Sequence, residues 1–252
     1  MASKKEFAHI LTGKHPVLEL LERSPHKVKD LWIQKSRIKD IKELLELCQK
    51  HRIRYHFVPR ERLDRLSSCA HQGIVARIYS PGFMEEDEFF PLMKKATFPF
   101  AFALDHLQDQ GNIGVLARTL YCVGGAGIVI TKDRCAHLGE RAFKSSAGAL
   151  AHIPLIRVIN LKRFLHICGE EEIWTYYASS EEESVTLYEV EVNFPAVLVL
   201  GNEEKGIRPA VKKACDMGLK IPMVGNFDSL NVAQAGGMIL GEFWRQWLKR
   251  RR

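Results

Sequence analysis

Three short stretches of this chain bring Gly together with side chains that hydrogen-bond or carry charge. The first, DHLQDQGNIGVLARTLYCVG, runs from Asp105 to Gly124 and holds Asn112 and Arg118. The second, GNEEKG, runs from Gly201 to Gly206 around Glu203. The third, IPMVGNFDSLNVAQAGGMILGEF, begins at Ile221 and sets Asn226, Asp228, Ser229 and Asn231 ahead of an apolar stripe, Val232, Ala235, Ile239 and Phe243. That stripe has the spacing of a helix about to be buried. Polar groups at such a place either cap the helix or face something outside the chain.

Some chemistries are excluded at once. The GGAG at 124–127 closes a helix and precedes a strand. A phosphate-binding glycine loop must do the reverse, so that backbone N–H groups and the helix dipole face the anion. GNEEKGI lacks the Lys-Ser or Lys-Thr end of a nucleotide-hydrolysing loop. The cysteines at 48, 69, 122, 135, 168 and 215 include no C-x-x-C pair, the usual start of a zinc site. They read as reduced, mostly buried thiols of a cytosolic protein, with no metal.

The elements that must position the three stretches form an α/β pattern. From residue 98 the strongly apolar runs FPFAFALD, GIVIT, IPLIRV, IWTYYA, AVLVLG and GLKIPM alternate with helical segments. This is the signature of a parallel sheet covered on both faces. In such sheets ligands bind beyond the carboxyl ends of the strands, and the three polar stretches follow strand ends there. Upstream, residues 5–80 make a smaller α/β unit, with helices expected in HPVLELLER, KDIKELLELCQKHRI and RERLDRLSSCA, and strands in VKDLWIQ, RYHFVP and HQGIVARIY. Residues 81–97, with Pro81, Gly82, Pro91 and an acidic cluster, read as a linker holding at most one short helix. The expected division is 1–80, 81–97 and 98–252. No apolar run approaches the ~18 residues needed to cross a bilayer, and the N-terminal residues lack the apolar core of a secretory signal.

Charge separates the two halves. Residues 1–80 carry 17 Lys and Arg against 9 Asp and Glu, whereas the remainder is nearly balanced within a net charge of +7. A basic excess confined to one segment suits either a polyanion partner or a well-solvated surface.

The motifs D-x-x-Q-D-x-x-N-x-G-x-x-x-R-T-x-x-x-x-G, G-x-E-x-x-G and I-P-M-x-G-x-x-x-S-L-N-V, in this order, resemble the SpoU/TrmH family. These are S-adenosylmethionine-dependent RNA ribose 2′-O-methyltransferases of the SPOUT class. GKHPVLELLE and HQGIVA in the first unit are similar to the ribosomal-protein-like RNA-binding domain of members that modify large-subunit ribosomal RNA. The resemblance implies a C-terminal α/β domain whose tail threads a loop as a deep trefoil knot. It implies S-adenosyl-L-methionine as cofactor, held around Gly201, Ile221, Met223, Gly225 and Leu230, with the adenine between Ile221 and Leu230. Glycine at 201 would let the chain approach that cofactor.

By the same resemblance Arg118, Asn112, Glu203, Ser229 and Asn231 serve the acceptor ribose. A guanidinium essentially does not deprotonate, so Arg118 is read as a phosphate grip that brings the ribose into line and stabilises the developing alkoxide. Ser229 and Asn231 could equally cap the last helix, Ile221 and Leu230 could be core, and His106 reads as a loop histidine. Gln110, Leu120 and Ala233 depart from the family pattern; Gln110, where Pro is usual, could loosen its loop. The expected activity is methylation of a ribose 2′-hydroxyl, of a guanosine in large-subunit (23S) rRNA, by a homodimer with no membrane association. The rivals are a tRNA or antibiotic-resistance methyltransferase of the same family and a catalytically silent RNA-binding or ribosome-assembly protein.

Overall fold

A computed structural model describes residues 9–136, 138–225 and 229–251; Asn226 and Asp228, named above, lie outside them. In chain order the elements are β1 (His9–Thr12), α1 (Lys14–Arg23), β2 (Val28–Gln34), α2 (Lys42–Lys50), β3 (Arg54–Val58), α3 (Arg60–Leu66) and β4 (Ile74–Ile78). Then come α4 (Glu86–Lys95), β5 (Phe98–Asp105), α5 (Gln110–Cys122), β6 (Gly125–Thr131), α6 (Glu140–Ser145), β7 (Leu155–Val158) and α7 (Leu161–Glu170). The chain ends with β8 (Trp174–Ala178), β9 (Val185–Thr186), β10 (Ala196–Gly201), α8 (Pro209–Lys212), β11 (Met217–Lys220) and α9 (Val232–Arg250).

Two compact units result, one of residues 1–82 with 137–152, the other of 83–136 with 153–252. The first has a four-stranded sheet in the order β1-β4-β2-β3, with β2 and β3 parallel and the other pairs antiparallel. In α2, Leu44 and Cys48 stand one turn apart and are wholly buried, while Glu and Lys face outward. This helix starts later than its sequence pattern suggests: residues 35–40 wind as a 3₁₀ turn, and Ile41 is out of helical geometry at φ −129° and ψ 21°. The contribution of 137–152 was not expected. Its Phe143 is fully buried, with its ring 5.0 Å from that of His9 in β1.

The second unit has a seven-stranded sheet, all parallel, in the order β7-β6-β5-β10-β8-β11-β9. All eight residues of β5 are buried, as expected of a strand covered on both faces. The stretch expected as a linker with one short helix does hold one. Residues 86–95 form α4, whose Phe89, Phe90 and Met93 sit in this unit's core, Phe90 stacked on Phe164 at 5.6 Å. Proline and an acidic cluster looked like a linker, but Glu86, Asp87 and Glu88 occupy the first turn, where they oppose the helix dipole.

From β5 the chain winds outward through β6 and β7, then crosses to β8 on the far side of β10. The sheet's switch point therefore lies between β5 and β10, where Asp105 and Gly201 end their strands in register. This topology places the polar loops after β5 and β10 side by side.

Candidate active site

The loop after β10 doubles back on itself. Asn202 and Gly206 exchange backbone hydrogen bonds of 3.1 and 2.9 Å, and Gly206 takes φ +64°. A Cβ on Gly201 would fall 2.4 Å from the carbonyl carbon of Gly206. The chain's own return therefore requires glycine at 201. The loop is pinned to β5 by Asp105, which is fully buried. Its carboxylate accepts from the Arg208 backbone N–H at 3.0 Å and from Arg208 Nε at 2.9 Å. Asn202 Nδ2 adds a bond of 3.0 Å to the His106 carbonyl. His106 has φ +59°, and partial burial, assisted by the Arg208 charge, holds its imidazole below the usual range. It shapes the loop through its backbone, as a loop histidine should.

Glu203 is the hub. One carboxylate oxygen accepts from the Asp109 N–H at 3.1 Å and from Asn112 Nδ2 at 3.1 Å; the other accepts from the Gln108 N–H at 3.4 Å. Asn112 Oδ1 in turn accepts from Asn231 Nδ2 at 3.1 Å. One polar chain therefore joins the loop after β5, the loop after β10 and the start of α9. Both helices that carry it are capped. Asp109 accepts the Asn112 N–H at 3.0 Å, and Asn231 Oδ1 accepts the N–H groups of Ala233 and Gln234 at 2.9 and 3.3 Å. Gln110 stands at the first position of α5, directly after the capping Asp109. Asn231 both caps and joins the network; Ser229 does not cap α9.

Beside this chain lies a cleft of about 590 Å³, within the range of small-molecule sites. Leu200, Leu219, Ile221, Leu230, Val232 and Ile239 give it apolar walls, and Ser179, Glu181, Lys205 and Lys212 give it a polar rim. Gly201, Glu203, Ile221, Met223, Ser229, Leu230 and Asn231 are all among its lining residues. Leu230 and Met223 remain 37 % and 40 % exposed, so neither is plain core. The α9 stripe holds in part: Ile239 and Phe243 are buried as expected, joined by Ala233, Gly236 and Leu240, while Val232 and Ala235 line the cleft instead.

Two expected residues stand apart. Arg118 lies six positions beyond Asn112 on α5, about 9 Å along the axis. It is exposed, beside the exposed Val115, and it is not among the cleft-lining residues. Gly225 is also exposed and off the lining, with no atom within 4 Å of a Cβ placed on it. Sequence reasoning missed Asn202, Arg208 and the Lys212–Glu181 pair at 2.6 Å. No local signal pointed to Arg208, whose partner Asp105 lies 103 positions away. All six cysteines are free, but only Cys48 and Cys168 are buried, fewer than expected.

Known proteins resemble this chain along most of its length. Residues 99–241 match the SpoU rRNA Methylase family, and residues 10–83 match the domain described as RNA 2′-O ribose methyltransferase substrate binding. A TrmH family tRNA/rRNA methyltransferase of Bacillus subtilis is 37 % identical over 238 residues, covering 93 % of this chain and 94 % of its own. The 23S rRNA (guanosine-2′-O-)-methyltransferase of Escherichia coli K12 is 34 % identical over 241 residues, covering 95 % and 99 %. The SpoU methyltransferase of Streptomyces viridochromogenes, solved in complex with the cofactor AdoMet, superimposes with a TM-score of 0.78 at 24 % identity, over 96 % of this chain and 91 % of that one.

Proposed function

The chain belongs to the SpoU rRNA methylase family, and on that premise we propose that it methylates a ribose 2′-hydroxyl of large-subunit ribosomal RNA, at a guanosine, with S-adenosylmethionine as donor. The observation that carries this reading is the Glu203–Asn112–Asn231 chain at the edge of an apolar-walled cleft at the sheet's switch point.

The cleft fits the donor. Leu230 and Met223 keep apolar surface open, which a planar adenine covers, and Glu181, Lys205 and Lys212 offer both signs of charge to an amino acid end. Ile221, Leu230 and Met223 would hold the ring, with Gly201 and Gly225 in the enclosing loops. When bound, S-adenosylmethionine supplies an electrophilic methyl carbon on a sulfonium sulfur. Asn112, Glu203, Ser229 and Asn231 orient the acceptor ribose and keep it within near-attack distance. Arg118 grips an RNA phosphate and offsets the charge developing on the 2′-oxygen. The family's knot, with the C-terminal segment passed through a loop, is part of this reading.

Two finer points belong to it. The enzyme acts as a homodimer, a state favoured by Val115 and Met238, both 42 % exposed on α5 and α9, and by Gly237 and Gly241, which have nothing within 4 Å of a built Cβ. It works on RNA in the cytosol; among the described residues no helix is long and apolar enough to cross a membrane. The test is calorimetric titration with S-adenosylmethionine, together with mapping of ribose methylation on ribosomal RNA from cells lacking the protein. Binding with loss of one 2′-O-methyl mark is the expected result. Absence of cofactor binding, even with RNA present, favours the catalytically silent reading, and a mark lost from tRNA favours the tRNA reading.

A further inference from the structure

The first unit has a pocket of its own, of about 590 Å³, between the end of β2, the start of α3 and the loop before β4. Its floor is fixed by a buried histidine. The Gly73 N–H donates to His71 Nδ1 at 3.0 Å, which leaves the ring proton on Nε2 to donate to Asp64 at 2.9 Å. His71 is only 6 % exposed, so this neutral ring is a fixed part of the wall. A second anchor comes from Glu140, whose carboxylate accepts from Ser67 Oγ, from the Ser68 N–H at 3.2 Å and from Ser68 Oγ at 3.3 Å. The pocket is therefore held in shape without a ligand.

Over this fixed floor stand two mobile-length cations. Arg37 lies across Gly73, where an added Cβ would come within 3.1 Å of its Cγ and 3.3 Å of its Nε; Gly73 has φ +80° as well. Among the described residues Arg37 has no ion pair. Arg60 is exposed and meets Asp64 only at 3.9 Å, a carboxylate already taken by His71. Gln34 and Gln72 add amides at the rim. Guanidiniums over a polar, roomy hollow match a phosphodiester and the base edge beside it, because single-stranded RNA is read by phosphate pairing and by amide contacts to splayed bases.

The geometry points to a nucleotide-binding pocket in the first unit. It takes one unpaired nucleotide of the RNA, its phosphate on Arg37 and Arg60 and its base against Gln34 and Gln72. This rests on the RNA-methylating reading above and adds to it where a flexible loop of the substrate is captured.

The experiment uses the full chain and a fluorescein-labelled single-stranded 12-mer of uridylate, followed by anisotropy from low to high salt. Arg37→Ala with Arg60→Ala is expected to weaken binding at least tenfold and to reduce the salt slope by about 1.4, two phosphate contacts at ~0.7 each. Calorimetric binding of S-adenosylmethionine to the same variant stays at the wild-type value. Lys42→Ala with Lys50→Ala removes equal charge from α2 of the same unit and is expected to change affinity less than threefold. The pocket is overturned if the arginine pair binds the 12-mer as wild type does, if both double variants lose affinity equally, or if the wild-type chain does not bind the 12-mer. An unaffected arginine variant beside a wild-type enzyme that methylates ribosomal RNA defeats the pocket alone. Absence of methyl transfer by wild type defeats the functional reading instead.

Discussion

The cleft of the second unit and the pocket of the first are equal in volume, about 590 Å³ each, yet their polar groups are arranged in opposite ways. In the cleft the hydrogen-bonding side chains are tied to one another, Glu203 to Asn112 to Asn231, and the open surface is apolar, at Leu230 and Met223. In the pocket the floor is tied down, and what stays open is the cationic Arg37 and Arg60. A prearranged polar edge with apolar walls suits a small ligand with a flat ring. Open guanidiniums suit a flexible polyanion, whose affinity comes largely from charge. Equal size thus conceals different chemistry.

Changes to each region can break or sharpen that contrast. Arg118→Lys keeps the charge but loses the planar two-point grip, and methyl transfer to ribosomal RNA is expected to fall by about 10² or more, with S-adenosylmethionine binding intact. Near-normal turnover would sink the clamp. Glu203→Ala strands three donors that its carboxylate now satisfies; kcat should drop by about 10- to 100-fold, and Glu203→Gln should recover part of it. A loss that appears only in thermal stability would reduce the network to scaffolding. Leu230→Ala removes apolar surface that the donor would cover. KM for S-adenosylmethionine should rise about tenfold, for roughly 1.5 kcal/mol of lost burial, with kcat held. A KM that stays put would leave Leu230 outside the donor site.

A last effect concerns the stability of the first unit rather than methyl transfer. Burial, reinforced by Lys27 and Arg23, pushes the His152 imidazole down to about 4. The unfolded chain binds this proton near pH 6.5, so below that pH unfolding takes up a proton that the folded state refuses. Stability is full above about pH 6.5 and falls toward pH 4, by up to about 2 kcal/mol for a half-buried ring. Urea unfolding of wild type against His152→Asn at pH 7 and 4.5 measures it. A slope unchanged by the substitution would assign the acid loss to other groups.

Much of this was legible in the sequence, for identifiable reasons. An unbroken apolar run such as β5 has few options but a strand covered on both faces, and Asn231 ahead of a helix is a strong cap. Hydrophobic periodicity, by contrast, cannot tell a core face from a ligand face, which is why Val232 and Ala235 were assigned to the core and are found in the cleft. The Glu203 hub required the loops after β5 and β10 to meet, and only the order of strands in the sheet brings them together. Motif order named its members; it could not say that Arg118 would stand apart from them. Docking of residues 137–152 on the first unit depends on partners, His9 and Ser67 among them, more than seventy positions away, and no local pattern reports that.

That docking has a consequence for how the molecule is made. The first unit spends most of translation unfinished, since the side chain that covers its opening strand, Phe143, and the carboxylate that ties Ser67 and Ser68, Glu140, emerge only after β5, α5 and β6 have been synthesised. A fragment ending at residue 82 would lack both the Phe143 ring beside His9 and the Glu140 carboxylate on Ser67. The small unit at the front of the chain reaches its final form late, waiting on a passage of sequence from within its larger neighbour.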